Sequence, residues 1–159
     1  MQIVIGSDHA GYYLKSHLIR HLEANGHEVA DLGTDSGEPV DYPPICAAVA
    51  RRVVEATAEG IPARGVVLGG SGQGEQIAAN KIRGIRAALC NGVVTARLAR
   101  EHNDANIIAI GARLVAPELA AEILDVFLST EFAGGRHARR VQQVTDLERG
   151  HDHHHTFLD

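Results

Sequence analysis

Short apolar runs alternate with stretches of helical spacing along almost the whole chain, and this alternation constrains the fold more than any other feature. Five runs rich in Val, Ile and Ala have the length of buried strands. They are QIVIG from Gln2, HEVADLG from His27, RGVVLGG from Arg64, IRAALC from Ile85 and NIIAIG from Asn106. This β-α alternation predicts an α/β fold: a Rossmann-like, doubly wound, five-stranded parallel sheet with helices on both faces.

The intervening stretches carry the start and stop signals of helices. Leu14, Leu18 and Leu22 repeat at helical spacing in the first stretch, which stops at Asn25-Gly26. The other helix predictions are Ile45 to Ala58, Glu75 to Ile82, VVTARLAREH from Val93, APELAAEILDVFLS from Ala116 and a last, extra helix, RHARRVQQVTDLERG from Arg136. The length of 159 residues fits one domain over residues 1–150, followed by a histidine-rich tail at 151–159 that we expect to be flexible.

Composition argues against several kinds of partner. The net charge of −5 disfavours a nucleic-acid binder, which normally has a basic face. No apolar run approaches the length of a membrane span, and the N-terminus lacks the features of a signal peptide. Cys46 and Cys90 lie in apolar contexts, typical of buried thiols in a reducing cytosol rather than of a disulfide or metal site. We therefore expect a cytoplasmic protein that binds neither nucleic acid nor membrane.

The third strand is followed by the glycine-rich segment GGSGQGEQIAANK, which begins at Gly69 and leads into a helix. Gly70, Gly72 and Gly74 have the spacing G-x-G-x-G, and the next strand ends without an acid for a ribose, so the dinucleotide fingerprint fails. No Gly-Lys-Ser/Thr follows, which excludes a Walker A loop. The remaining interpretation is a loop whose backbone N–H groups stabilise a phosphate or a developing oxyanion.

Glu75 comes directly after the last of these glycines, where it would repel a bound phosphate. Two interpretations stay open on the loop alone. Glu75 is either a general base beside an oxyanion hole, kept ionised by the helix dipole, or an ordinary acidic residue in the first turn of a helix.

Other strand ends carry further candidates, because ligands of such sheets bind beyond the carboxyl ends of the strands. Asp8 and His9 follow the first strand. Asp8 either binds a sugar hydroxyl or caps the next helix, and His9 suits a phosphate. Tyr42 ends the proline-rich loop after the second strand, where it covers a ligand or merely packs.

Four further candidates, each able to carry a positive charge, lie between positions 102 and 140. His102, near the end of the fourth helix, is a helix cap or a proton donor. Arg113 lies just past the fifth strand. Arg136 and Arg140 share a helix face and either bind a phosphate or form a solvated basic face. The terminal HDHHH is more typical of a disordered tail than of a metal site, and we predict no metal.

Six motifs occur in the order typical of one family: GSDHAG, DYP, GGSGQGEQIAANK, REHNDAN, IGAR and GGRHARRV. On these motifs the chain resembles the ribose-5-phosphate isomerase B family, which includes galactose-6-phosphate isomerase. The resemblance spans residues 1–150. It implies a cofactor-free isomerase that interconverts D-ribose 5-phosphate and D-ribulose 5-phosphate through a cis-enediolate. It also implies a homodimer or tetramer in which each site draws residues from two subunits.

The resemblance further implies catalytic roles. Glu75 would move the proton between C1 and C2, while Ser71 and the backbone amides of Gly70 to Gly74 would hold the enediolate oxygens. His102 would open the furanose ring, with Asp8 on the ring or hydroxyl oxygens.

The implied substrate-binding residues form a second group. Asn103 would assist ring opening, and Tyr42 would line the pocket. The phosphate would be bound by His9, Arg113, Arg136 and Arg140.

The chain departs from a large branch of this family at one position. That branch uses a cysteine at the end of the third strand as the base, whereas this chain has Gly69 there, and neither Cys46 nor Cys90 can replace it. The chain thus resembles the branch that uses the glutamate, which favours the catalytic interpretation of Glu75. Two alternatives remain: an isomerase of a tetrose 4-phosphate, galactose 6-phosphate or allose 6-phosphate, and a non-catalytic sugar-phosphate or nucleotide-binding module.

Overall fold

Five parallel strands form the centre of the molecule, and their spatial order differs from their order in the chain. The computed structural model describes residues 1–151; the predicted tail, apart from His151, lies outside them. The strands are β1 (Gln2–Ser7), β2 (Glu28–Asp31), β3 (Ala63–Gly69), β4 (Ala87–Leu89) and β5 (Ile107–Gly111). They lie in the order β2-β1-β3-β5-β4, with β3 in the middle. The chain passes from β1 outward to β2 and then returns to β3, so the switch point lies between β1 and β3.

Helices cover both faces of this sheet. Those described within residues 1–151 are α1 (Tyr12–Ala24), α2 (Tyr42–Ala58), α3 (Gln73–Ala79), α4 (Val93–Asn103), α5 (Pro117–Ser129) and α6 (Arg136–Glu148). None of them has the length and hydropathy needed to cross a bilayer. Ile3 and Ile5 point towards α1, α4 and α5, whereas Val4 points towards α2 and α3. The predicted doubly wound fold with an extra C-terminal helix is confirmed.

Local chemistry explains where α2 begins, and where α3 begins and ends. Pro43 and Pro44 occupy the first turn of α2, where a missing N–H costs no helical hydrogen bond. α3 begins two residues before the predicted Glu75, because Gly72 adopts a left-handed φ of 78° and turns the chain into the helix. It ends before the predicted Ile82, since the side chain of Asn80 bonds to β4.

The apolar stripe of α4 faces solvent in the single chain. Val94 is 63% exposed and Leu98 is 40% exposed, and both share the helix face that leads to His102. The buried face of α4 is formed instead by Ala96, Ala99 and Arg100. The fold of one chain therefore leaves an apolar strip of α4 uncovered.

α6 lies on the outside of the domain, and none of its residues is buried. Its N-terminal end is held where the Ala133 N–H donates to the carbonyl of Glu101 at 3.0 Å. At its C-terminal end, the Glu148 carboxylate accepts the Gly84 N–H at 2.9 and 3.0 Å. Both attachment points lie near the amino ends of the strands, so α6 runs along that edge of the sheet.

The open edge of β4 is closed by a side chain. Asn80 Nδ2 donates to the Ala87 carbonyl at 2.9 Å, and Asn80 Oδ1 accepts the Ala87 N–H at 2.8 Å. We expect Asn80→Ala to lower the free energy of unfolding by about 1–3 kcal/mol, because both backbone groups lose this partner. Urea denaturation measures the effect, with the exposed neighbour Lys81→Ala as the control. Equal midpoints for the two variants would contradict the prediction.

Candidate active site

The carboxyl edge of the sheet gathers most of the predicted ligand residues. β1, β3 and β5 are neighbours, so the loops that follow them lie side by side. The Asp8 N–H donates to the Leu68 carbonyl at 3.2 Å, and the Arg113 N–H donates to the Gly70 carbonyl at 3.1 Å. We call the following residues the carboxyl-edge site: Asp8, His9, Tyr42, Gly70, Ser71, Gly72, Gly74, Glu75 and Arg113.

Glu75 is one of two buried carboxylates in this site: 4% of Glu75 and 8% of Asp8 are exposed. A Cβ atom added to Gly69 would lie 1.8 Å from Glu75 Oε1 and 2.3 Å from its carboxyl carbon. The carboxylate therefore fills the space that any side chain at position 69 would need. Glycine at the end of β3 is what admits Glu75 to this position.

Burial raises the pKa of the Glu75 carboxyl above its ordinary value, and the nearby Asp8 carboxylate adds to the rise. Hydrogen bonds from backbone N–H groups of Glu75 and Gly72 oppose it, because they favour the charged form. The folded state thus binds this proton more tightly than the unfolded chain. Its contribution to stability is present at low pH and is lost as the pH rises through the folded pKa. Carboxyl groups whose pKa is raised by burial in this way are typical of catalytic acids and bases.

Tyr42 of α2 and Arg113 of the segment after β5 lie against the glycine loop. The Tyr42 hydroxyl lies 2.6 Å from the point where a Cβ of Gly74 would be, and the Arg113 guanidinium lies 3.3 Å from the corresponding point at Gly70. Ser71 is exposed on the loop, and its Oγ accepts the Gln73 N–H at 3.3 Å. Within residues 1–151 Arg113 forms no ion pair, so its charge is available to an anion beside the loop.

Asp8 and His9 shape the turn after β1. The N-cap of α1 is Gly11 rather than Asp8. Asp8 Oδ1 accepts the N–H groups of Ala10 at 2.9 Å and Gly11 at 3.1 Å, which holds the turn ahead of the helix. His9 Nδ1 accepts the Val40 N–H at 3.3 Å. An imidazole that accepts at Nδ1 carries its proton on Nε2, so His9 offers a ligand a neutral N–H donor.

Four predicted residues lie at the opposite edge of the sheet. His102 and Asn103 end α4, which runs back from the carboxyl edge to the amino edge. The Asn103 carbonyl accepts a bond from Arg86 Nε at 2.9 Å, and Arg86 immediately precedes β4. Arg136 begins α6 at this edge, and Arg140 lines the same groove as Asn103. Five residues of β5 separate the edges by about 16 Å, so the two groups do not meet within one chain.

His102 stacks on His137, a residue that the sequence analysis did not single out. Their ring centroids are 4.2 Å apart with an interplanar angle of 6°, and Arg136 Nε donates to His137 Nε2 at 3.4 Å. Loss of hydration lowers the pKa of His137, and the charges of His102, Arg136 and Arg140 lower it further. The motif GGRHARR contained this histidine, but only the docking of α6 on α4 brings it to His102. We call His102, Asn103, Arg136, His137 and Arg140 the amino-edge cluster.

A groove of about 460 Å³ lies between α6 and the β4 edge of the sheet. Gln76 of α3 and the following Asn80 lie on one side of it, and Arg140, Val141 and Val144 of α6 lie on the other. Its lining within the described residues contains no carboxylate and no nucleophile. A buried carboxylate that could take up a proton lies instead in the carboxyl-edge site, at Glu75.

Cys46 and Cys90 are buried free thiols, as predicted. Burial raises the pKa of Cys46 to about 12, with the carboxylates of Glu75 and Asp8 adding to the effect. Burial also raises the pKa of Cys90 to about 11. Both thiols stay protonated at neutral pH, so neither can act as a base there. Within residues 1–151, no three His, Cys, Asp or Glu side chains are grouped to hold a metal ion.

The fold and the carboxyl-edge site together define a Rossmann-like α/β protein with a buried carboxylate beside a glycine-rich loop and an arginine that is unpaired within residues 1–151. The sequence matches the ribose/galactose isomerase family over residues 3–144. It is 47% identical to a ribose-5-phosphate isomerase B of Mycolicibacterium paratuberculosis over 153 residues, which cover 95% of this chain and 94% of that relative. The chain belongs to the ribose/galactose isomerase family.

Solved structures of similar proteins share the fold. A ribose-5-phosphate isomerase B of Clostridium thermocellum matches with a TM-score of 0.90 and 47% identity, over 96% of this chain and 100% of that one. A ribose-5-phosphate isomerase B of Mycoplasma genitalium with bound ribulose-5-phosphate matches with a TM-score of 0.87 and 36% identity, over 93% and 96%. The similarity therefore covers nearly the whole chain.

The contact between Gly69 and Glu75 predicts the effect of a single methyl group. We expect Gly69→Ala to push the Glu75 carboxylate towards water, because the added Cβ would overlap Oε1. The pKa of Glu75 then falls towards its ordinary value, which a ¹³C NMR titration of labelled glutamate measures. Gly37→Ala is the control, since nothing lies within 4 Å of a Cβ at that position. An unchanged Glu75 titration in Gly69→Ala would show that the Glu75 carboxylate does not fill the space beside Gly69.

Proposed function

We propose that this chain is an aldose–ketose isomerase that interconverts D-ribose 5-phosphate and D-ribulose 5-phosphate. Its family membership supports this function, as does its similarity to a structure that holds ribulose-5-phosphate. The observation that carries the proposal is the Glu75 carboxylate, buried in the space beside Gly69 with a raised pKa.

Isomerisation moves one proton between neighbouring carbons of the open-chain sugar. Glu75 takes the proton from C2 of the aldose, and the C2–H electron pair forms the C1–C2 double bond of a cis-enediolate with its negative charge on O1. Glu75 returns the proton to C1, while the O2 proton passes to O1 and a carbonyl forms at C2. The raised pKa of Glu75 suits this reaction, because one group must accept and return a proton in each turnover.

The developing enediolate needs hydrogen-bond donors in fixed positions. Ser71 and the backbone N–H groups of Gly70 to Gly74 suit this role, because they belong to the loop that leads into Glu75. The loop is confined on both sides: Ser71 packs against Gly111, and Tyr42 packs against Gly74. Asp8 lies close enough to raise the pKa of Glu75, which supports a role for it on a sugar hydroxyl of the same ligand.

The phosphate is the non-reacting end of the substrate, and its binding energy positions the sugar. Arg113 supplies a positive charge beside the glycine loop, and His9 adds a neutral donor there. Arg136 and Arg140 carry two further guanidinium groups with no ion pair within residues 1–151. These two lie at the other edge, so they serve this site only from a second copy of the chain.

Ring opening also requires a residue from a second copy of the chain. His102 is the group suited to transfer a proton between the O1 hydroxyl and the ring oxygen, and it lies at the amino edge. A two-fold axis perpendicular to the strands reverses their direction in the second copy. It thereby brings the amino-edge cluster of one chain to the carboxyl-edge site of the other. The exposed residues Val94 and Leu98, on the same face of α4 as His102, support such an interface. The proposed active form is a homodimer, or a tetramer built from such dimers.

The role of Glu75 predicts a large kinetic effect from a small change. We expect Glu75→Gln to lower kcat by about 10²–10⁴-fold with little change in substrate affinity, because the amide accepts no proton. Steady-state turnover of ribose 5-phosphate and isothermal titration with it measure the two quantities. Glu118→Gln is a matched control, since Glu118 is also an acidic first-turn residue but is exposed. Near-equal turnover in the two variants would exclude Glu75 as the base.

The shared site predicts complementation between two inactive variants. In a heterodimer of Glu75→Gln and His102→Ala chains, one site combines an intact Glu75 with an intact His102. We expect an equal mixture, refolded together, to regain about one quarter of wild-type activity, since half of the random two-fold dimers carry one intact site. Activity measured before and after joint refolding tests this. No gain above the separate variants would indicate that each site is built from a single chain.

A further inference from the structure

Lys15 is a buried charged residue that the proposed reaction does not use. It lies in the first turn of α1, and 2% of its side chain is exposed. Its Nζ atom pairs with Asp31 Oδ2 at 2.5 Å, at the carboxyl end of β2, and lies 5.9 Å from the centre of the Tyr12 ring. A buried ammonium group is costly unless it is paired, so Asp31 is required where Lys15 is present.

The second oxygen of Asp31 extends this pair into the backbone of the next loop. Asp31 Oδ1 accepts the Gly33 N–H at 3.0 Å. Gly33 and Thr34 bond in turn to the last residue of β1: the Ser7 N–H donates to the Gly33 carbonyl at 2.6 Å, and the Thr34 N–H donates to the Ser7 carbonyl at 2.7 Å. Lys15 thus holds the start of the β2–α2 loop (residues 32–41) against the residue that precedes Asp8.

The far end of the same loop leads into the carboxyl-edge site. The Val40 N–H donates to His9 Nδ1 at 3.3 Å, which sets the imidazole tautomer. Two residues later α2 begins with Tyr42, whose ring lies against Gly74. The position of the loop therefore determines where Tyr42 and His9 present their polar atoms.

We propose that Lys15 is a positioning residue for substrate binding, and that its ion pair with Asp31 fixes the β2–α2 loop so that Tyr42 and His9 meet the sugar phosphate. This inference rests on the proposed isomerase function. Replacing a buried ion pair by apolar side chains of similar size is often neutral or stabilising, so stability alone does not explain the pair. Asp31 binds the Lys15 ammonium group with one carboxylate oxygen and the Gly33 N–H with the other. The ion pair is therefore connected to the loop backbone, which fits a positional role.

The test separates position from stability with a single and a double variant. Lys15→Met leaves Asp31 without its partner, so we expect both a lower melting temperature and a higher KM. Lys15→Met/Asp31→Leu removes both charges, so we expect the melting temperature to recover. In the double variant KM for ribose 5-phosphate stays about tenfold above wild type, comparable to the loss of one hydrogen bond to a charged group, and kcat stays within about twofold. Arg20→Met, an exposed cation on the same helix, is the control and should change neither quantity.

A second measurement follows the local stability of the β2–α2 loop and does not depend on turnover. Amide hydrogen exchange at Gly33, Thr34 and Val40 should accelerate at least tenfold in the double variant, while the amides of Val4 and Ile5 in β1 keep their protection. Recovery of both KM and melting temperature in the double variant would overturn the proposal, as would unchanged exchange at the three loop amides. Failure of wild-type turnover would instead reject the isomerase function, and the exchange data would still decide whether Lys15 fixes the loop.

Discussion

All five strands of the sheet run in the same direction, and this arrangement determines where each functional group lies. A parallel strand must be followed by a connection that returns to the opposite edge. Residues directly after strands therefore collect at one edge, and residues at helix ends collect at the other. Asp8 and Arg113 follow strands and flank the glycine loop, whereas His102 ends a helix and lies about 16 Å away. The separation of the candidate residues into two groups is a consequence of this topology.

Within the carboxyl-edge half, the packing of one side chain controls the chemistry. Glu75 reaches its position because Gly69 has no side chain, and the resulting burial raises the pKa of its carboxyl. Backbone N–H groups of Gly72 and Glu75 offset part of the cost of burying the charge. The same strand end thus tolerates either a side chain at position 69 or the carboxylate of Glu75, but not both. This exclusion gives a steric reason why the carboxylate at this place comes from the loop and no side chain comes from the strand.

The two halves have complementary character. The carboxyl-edge half contains the buried carboxylates of Glu75 and Asp8, whereas the amino-edge cluster contains two arginines and two histidines within residues 1–151. In the proposed isologous dimer the two halves meet, so that each substrate would lie between Glu75 and the cations that bind its phosphate. The Lys15–Asp31 pair contributes at a distance, because it acts on the loop that carries Tyr42 to the site.

The sequence by itself determined the order of strands and helices, the class of fold and the identity of almost every candidate residue, because apolar periodicity and short motifs are local properties of the chain. It did not reveal the Lys15–Asp31 pair, the stacking of His137 on His102 or the overlap of Glu75 with the space at Gly69. Each of those contacts joins residues from two different elements of the fold, and only the packing of these elements brings the residues together. The tertiary structure also decided that His102 lies beside the docked helix α6 at the edge opposite Glu75, since the docking of a helix depends on packing between distant parts of the chain.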